Sequence, residues 1–118
     1  MTEKQYKMKN NIVLVPFPFD DFSDTKIRPA LCLTNEIGNY QHVIIAFISS
    51  NLESNLLESD FLIQSNIKTE TGLKVDSVIK LNKIVTIPKS LIKRKLGTLS
   101  SNDCEIINKK MIQLFELK

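Results

Sequence analysis

The stretch NIVLVPFPFDDFSDTKIRPALCLTN, from Asn11 to Asn35, sets two apolar, strand-like runs on either side of a polar loop. Ile12 to Phe17 and Ala30 to Thr34 are rich in the branched and aromatic residues that a pleated, half-buried surface favours. Pro16 and Pro18 cannot donate to a sheet ladder, so the first strand should lie at an edge or end near Phe17. The loop closes on Arg28-Pro29, and Arg28 is the one guanidinium in the first ninety residues. A permanent cation where a loop hands over to a buried strand is either a structural clamp or an anion reader.

Further short β-type runs follow. His42 to Ile48 (HVIIAFI) is continuously apolar and reads as a central strand buried on both sides. Gly38-Asn39 supplies the turn before it. Phe61 to Gln64 is a weaker strand. In SVIKLNKIVTI, Ser77 to Ile87, one continuous period-2 face fails after Leu81, which predicts a bulge or turn near Asn82-Lys83. Pro88 to Leu91 suits a single helical turn, and Lys95 to Leu99 a last strand. From Asn102 to Lys118 the period changes to 3.6, with Cys104, Ile107, Met111, Leu114 and Phe115 on one face and Ser101 as the expected N-cap. Six or seven short strands closed by one C-terminal helix make a mainly β, barrel-like α+β domain.

The 118 residues form one domain, 1–118, with 1–10 expected as a flexible N-terminal segment. Apolar runs fall far short of the roughly 20 residues of a membrane helix, and MTEKQYKMKNN lacks the apolar core of a secretory signal. Cys32 and Cys104 stand far apart with no histidine cluster, as expected of reduced thiols in a cytoplasmic protein. Net charge is +3, but Lys68 to Lys95 holds eight Lys/Arg against Glu70 and Asp76, a local excess of +6. That stripe suits a polyanion or an acidic protein partner; on charge alone it equally suits solvated strand faces.

The chemistry on offer is narrow. His42 is the single histidine, so the paired imidazoles that often serve acid and base in RNA cleavage are absent, and a structural or exposed role is expected for it. No nucleophile-elbow or P-loop pattern occurs. Asp20, Asp21 and Asp24 match no EF-hand spacing, and aspartate is common in turns, so neither a metal nor another cofactor is expected. Arg28, Ser49 and Ser50 remain. Pro29 limits Arg28 to an extended backbone and gives its planar donor fork a direction. Ser49 and Ser50 close the run VIIAFI, where a hydroxyl can bind a ligand or satisfy its own backbone.

The ordered pieces IVLVPFPF, RPALCLTNEIGN, VIIAFISS, DSVIKLNKIVTI and LGTLS resemble the MazF/PemK family of toxin endoribonucleases from toxin–antitoxin systems. The resemblance spans roughly residues 11–115. It implies an SH3-like β barrel, a homodimer, and metal-independent cleavage of single-stranded RNA, with a cognate antitoxin as partner. It assigns catalysis to Arg28 and Ser49. Arg28 would neutralise charge on the phosphoryl oxygens and protonate or orient the leaving oxygen, while Ser49 would hold the phosphate or the attacking 2′-hydroxyl. Substrate binding falls to Phe19, Phe22, Lys26, Ser50 and Lys83, the two phenylalanines by stacking on bases from a lid between Phe17 and Ile27. The basic stripe would line the dimer groove and attract RNA and an acidic antitoxin tail alike.

Three positions depart from the family pattern. Asn10-Asn11 stands where Gly-Asp is usual, and asparagine tolerates the left-handed backbone such a turn needs. Ser49 replaces threonine and keeps the hydroxyl, and Lys83 replaces a neutral polar residue. Two other functions fit the same barrel: a non-catalytic protein binder such as the gyrase poison CcdB, and an inactive relative that only binds RNA.

Overall fold

The computed structural model describes residues 7–17, 26–52 and 55–117. Six antiparallel strands, β1 (Asn11–Phe17), β2 (Lys26–Cys32), β3 (His42–Ser49), β4 (Asp60–Ile63), β5 (Ser77–Pro88) and β6 (Arg94–Thr98), form one sheet in the order β4-β5-β3-β2-β1-β6. It curls into a half-barrel, and α1 (Ser101–Leu114) follows the last strand. The mainly β, small-barrel architecture is the one expected. Among the described residues no helix is long and apolar enough to cross a membrane.

β1 is not an outer strand, but Pro16 falls outside its ladder to β6. It pairs with β6 only from Asn11 to Leu14, so Pro16 lies beyond that ladder and keeps partners on the β2 side alone. Asn10, just before β1, has φ +74°, the conformation that the expected turn needs and that asparagine tolerates. The Asn35 side chain accepts hydrogen bonds from the backbones of Met8 and Lys9 at 2.8 and 2.9 Å.

β3 is buried on both faces, as its unbroken apolar run demands. Ala46 and Ile48 join Ile12, Leu31, Ile63, Ile79, Leu81 and Ile107 in one core. Val43, Ile45 and Phe47 join Val13, Val15, Ala30 and Cys32 in another. The predicted break in β5 is a bulge: Ala46 pairs with Ile84 and Phe47 with Lys80, leaving Leu81, Asn82 and Lys83 outside the ladder. The irregularity changes the phase of the strand. Ile79 and Leu81 serve the first core before it, and Val85 and Ile87 pack on the second after it.

Two details of α1 differ from the periodicity reading. Ser100, not Ser101, is the N-cap, its Oγ accepting from the Asp103 N–H at 3.2 Å. The helix stops at Leu114, so Phe115 sits past its end and is 49% exposed, while Cys104, Ile107, Met111 and Leu114 pack on the first core. Asp103 is buried in the first turn, where the helix dipole favours a carboxylate, and pairs with Lys68 at 3.1 Å.

The 3-10 turn at Thr69–Thr71 packs against β6. The contact depends on glycine. A Cβ on Gly97 would lie 2.2 Å from the Glu70 carbonyl oxygen, and one on Gly72 (φ +75°) 2.2 Å from that of Leu96. Gly97→Ala forces backbone against backbone and should cost about 1–3 kcal/mol, read as a lower urea midpoint with an unchanged slope.

Cys32 and Cys104 are both free. Cys32 is fully buried, and desolvation pushes its thiol from 9.0 up to about 11. Because the folded-state value is the higher one, this contribution to stability is complete below pH 9 and fades as pH rises from 9 to about 11. Denaturant titrations across that window should lose about 2–3 kcal/mol from this group. Cys32→Ala, less stable at neutral pH for the cavity it leaves, should lack that part of the slope.

Candidate functional site

β2 starts at Lys26, so Arg28 and Pro29 are strand residues, not the end of a loop as their sequence suggested. β2 pairs with β1 from Lys26 to Leu31 but with β3 only from Ala30 onward. Pro29, with no N–H, stands where the ladder to β3 has stopped. The partners Ala30–Phe47, Leu31–Ala46 and Cys32–Ile45 set an antiparallel register. Continued by two residues, that register brings Arg28 opposite Ser49. Arg28 and Ser49 therefore flank a fork where β2 and β3 part, while Ser49 stays paired with Val78 of β5.

A cavity of about 550 Å³ opens at this fork, lined by Arg28, Phe47, Ile48, Ser49, Asn51, Asn55, Leu57, Lys80, Asn82 and Lys83. Three of the site residues expected from sequence, Arg28, Ser49 and Lys83, thus share one cavity. Ser50 lines a second cavity that meets the first at Arg28 and Ile48. Lys26 is exposed at the start of β2 and lines neither. Phe19, Phe22 and positions 18–25 of the expected lid fall outside the described residues, Asp20, Asp21 and Asp24 among them, while Phe17, Lys26 and Ile27 belong to strands.

Arg28 and Ser49 are half-buried, Ser50 and Lys83 exposed. The Ser49 Oγ accepts from the Asn51 N–H at 3.0 Å. That bond orients the side chain and leaves its O–H free to donate, since a hydroxyl carries one proton and two lone pairs. Asn82 and Lys83 reach the cavity from the β5 bulge, a device that re-aims side chains at the edge of a sheet. His42 is remote from this chemistry. It begins β3, seven residues and roughly 23 Å along the strand from Ser49, with its ring 6.3 Å from that of Tyr40 in edge-on contact.

Lys80 was counted in the basic stripe but not singled out by sequence reasoning. It stands across the sheet from Asp60 on one side and Phe47 on the other, and its Nζ lies 3.0 Å from Asp60 Oδ2. The Asp60 side chain is 0% exposed, and the same oxygen accepts the Leu57 N–H at 2.9 Å. Alternation in the sequence puts Lys80 on one face with Val78 and Asn82, and the pairing of Val78 with Ser49 makes that the face of Ser49. The stripe as a whole is less cationic than its composition implies. Lys68, Lys80 and Lys89 pair with Asp103, Asp60 and Glu36. Arg28, Lys80 and Lys83 are the basic side chains on the larger cavity, and Lys80 is paired with Asp60. No carboxylate, thiol or imidazole belongs to the described residues that line it, and no three His, Cys, Asp or Glu are grouped to hold a metal among the described residues. The guanidinium, ammonium and amide groups among these residues are hydrogen-bond donors that an anion could accept from.

A family model described as PemK-like, MazF-like toxin of type II toxin–antitoxin system matches residues 8–115. Among solved structures, the Mycobacterium tuberculosis toxin MazF-mt6 superposes with a TM-score of 0.71 at 22% identity, over 92% of this chain and 98% of that one. An endoribonuclease in complex with its cognate antitoxin, from a mycobacterial species, superposes at 0.67 and 13% identity, over 96% and 98%. At these identities the structural likeness speaks for the fold. No curated protein matches the sequence.

Proposed function

The chain belongs to the PemK-like, MazF-like family of type II toxins, and from that premise and the cavity at the fork we propose that it is a metal-independent endoribonuclease of single-stranded RNA. The observation that carries this reading is that strand register sets Arg28 opposite Ser49 at a cavity that Lys80 and Lys83 also line. A phosphodiester is the anion such a cavity suits. The ribose 2′-oxygen bonds to phosphorus, the bond to the 5′-oxygen breaks, the 2′ proton leaves to solvent and the departing 5′-oxygen takes one up. The products are a cyclic phosphate and a 5′-hydroxyl.

Arg28 meets the charge that grows on the phosphoryl oxygens, and its planar fork can hold two of them at once. The guanidinium keeps its proton, so its part at the leaving oxygen is orientation and charge stabilisation. Ser49, with its oxygen already engaged by the Asn51 amide, donates its O–H to a phosphoryl oxygen and positions the reacting group. Lys83 adds attraction for the neighbouring phosphate. An antitoxin and a second copy of the chain are the partners that this reading brings with it, with the antitoxin inhibiting by occlusion of the same groove.

The test is direct. Purified protein incubated with a long single-stranded RNA in EDTA should cut it, while fully base-paired RNA stays whole. Intact single-stranded RNA overturns the reading. If DNA supercoiling by gyrase is then inhibited, the protein-binding function takes its place; salt-sensitive RNA binding without cut products points to a binder alone.

A further inference from the structure

Arg28 lines two cavities, and Ser49 belongs to the larger. The second, of about 300 Å³, has Leu14, Pro29, Ile48, Leu73 and Leu96 on its apolar walls. Its polar groups are Ser50, Ser77, Lys74 and Arg94, with Arg28 shared between the two. Its outer wall is the segment after the 3-10 turn, and Gly72 lets that segment approach β6 as closely as it does.

We propose that this second cavity receives a nucleobase next to the scissile phosphate, which makes its lining residues specificity determinants. The inference rests on the nuclease reading and deepens it. A phosphodiester joins two nucleosides. If Arg28 grips the phosphate, one nucleoside lies over the larger cavity and the other over the smaller one. The smaller is at the lower end of the range for small-ligand sites, with room for one base and not a stack. Its apolar walls match the faces of a base, on which single-strand recognition depends. Ser77 is buried and donates its hydroxyl to the Val75 carbonyl at 2.9 Å, leaving its oxygen able to accept from a base edge. Ser50 is exposed and can donate or accept. Lys74 and Arg94, exposed on the rim, are placed for the phosphate on the far side of that base.

The test uses the full chain and a substitution at an exposed position. Val75 is 56% exposed and lines the cavity, so Val75→Trp fills the space without touching the core. The probes are dye-labelled 2′-O-methyl homopolymers of each of the four bases, which cannot be cut, and an abasic strand of the same length. The wild type should bind at least one homopolymer about tenfold or more tightly than the abasic strand. Val75→Trp should remove that preference and keep the affinity for the abasic strand. Lys74→Gln with Arg94→Gln should weaken all strands alike and lower the salt dependence. Equal binding of all strands by the wild type, or a preference that Val75→Trp leaves intact, overturns the proposal. Base-dependent binding by a wild type that cuts no RNA overturns the nuclease reading and leaves the base site standing.

Discussion

Arg28→Ala should lower the rate of RNA cleavage by about 10²–10³-fold, the loss seen when one preorganised donor is taken from a developing oxyanion. The expectation follows from where Arg28 stands. It is half-buried in a strand, with a proline behind it, at the fork that separates β2 from β3. The backbone that carries it is therefore set in the sheet before substrate arrives. Arg28→Lys keeps the charge but replaces the planar fork with a point charge, and should recover only part of the rate. Single-turnover rates on one labelled RNA separate the three proteins, and urea midpoints for the same three show that folding is not what changed. Equal rates for wild type and Arg28→Ala would remove Arg28 from the chemistry.

Lys80→Met should destabilise the fold by about 3–5 kcal/mol, because it strands the Asp60 carboxylate inside the protein. Asp60 has no exposed side-chain surface; Oδ2 would keep only the Leu57 amide, and Oδ1 has no hydrogen-bond partner. Buried pairs are costly to desolvate, so removing both charges differs from removing one. Lys80→Met with Asp60→Leu should regain most of the loss or exceed the parent in stability. Denaturant unfolding of the four proteins completes the cycle. A single-variant loss below about 1 kcal/mol would mean that Asp60 reaches water or another donor after all.

Much of the barrel was legible because its signals are local. Alternation, proline positions and the unbroken run of β3 report burial residue by residue. The phase break after Leu81 marked the bulge because a strand that changes face must do so in sequence as well as in space. Boundaries were less legible. Pro29 looked like the gate to a strand, yet β2 runs through it, since the missing N–H matters only where a ladder needs one. The cap of α1 was read one residue late because Ser100 and Ser101 offer the same side chain and only backbone geometry separates them.

The candidate site was legible as residues and not as a place. Arg28 and Ser49 stood out for their chemistry, but their facing depends on strand register across some twenty residues of intervening chain, for which no local pattern exists. Lys80 was hidden for the opposite reason. It is one of eight basic residues in the stripe, and its distinction is the buried partner on β4 that no spacing rule reveals. Pairing with Asp60, Asp103 and Glu36 also explains why composition overstates the charge of the basic stripe.

Analysis of the ends left by the wild-type protein on a single-stranded RNA, digested in EDTA, tests the central claim most directly. A site built on Arg28 and Ser49, with the 2′-hydroxyl as nucleophile, predicts cyclic phosphate on one fragment and a free 5′-hydroxyl on the other. It also predicts no cut where the ribose is replaced by deoxyribose. Uncut RNA, or fragments that carry a 5′-phosphate and a 3′-hydroxyl, would contradict it.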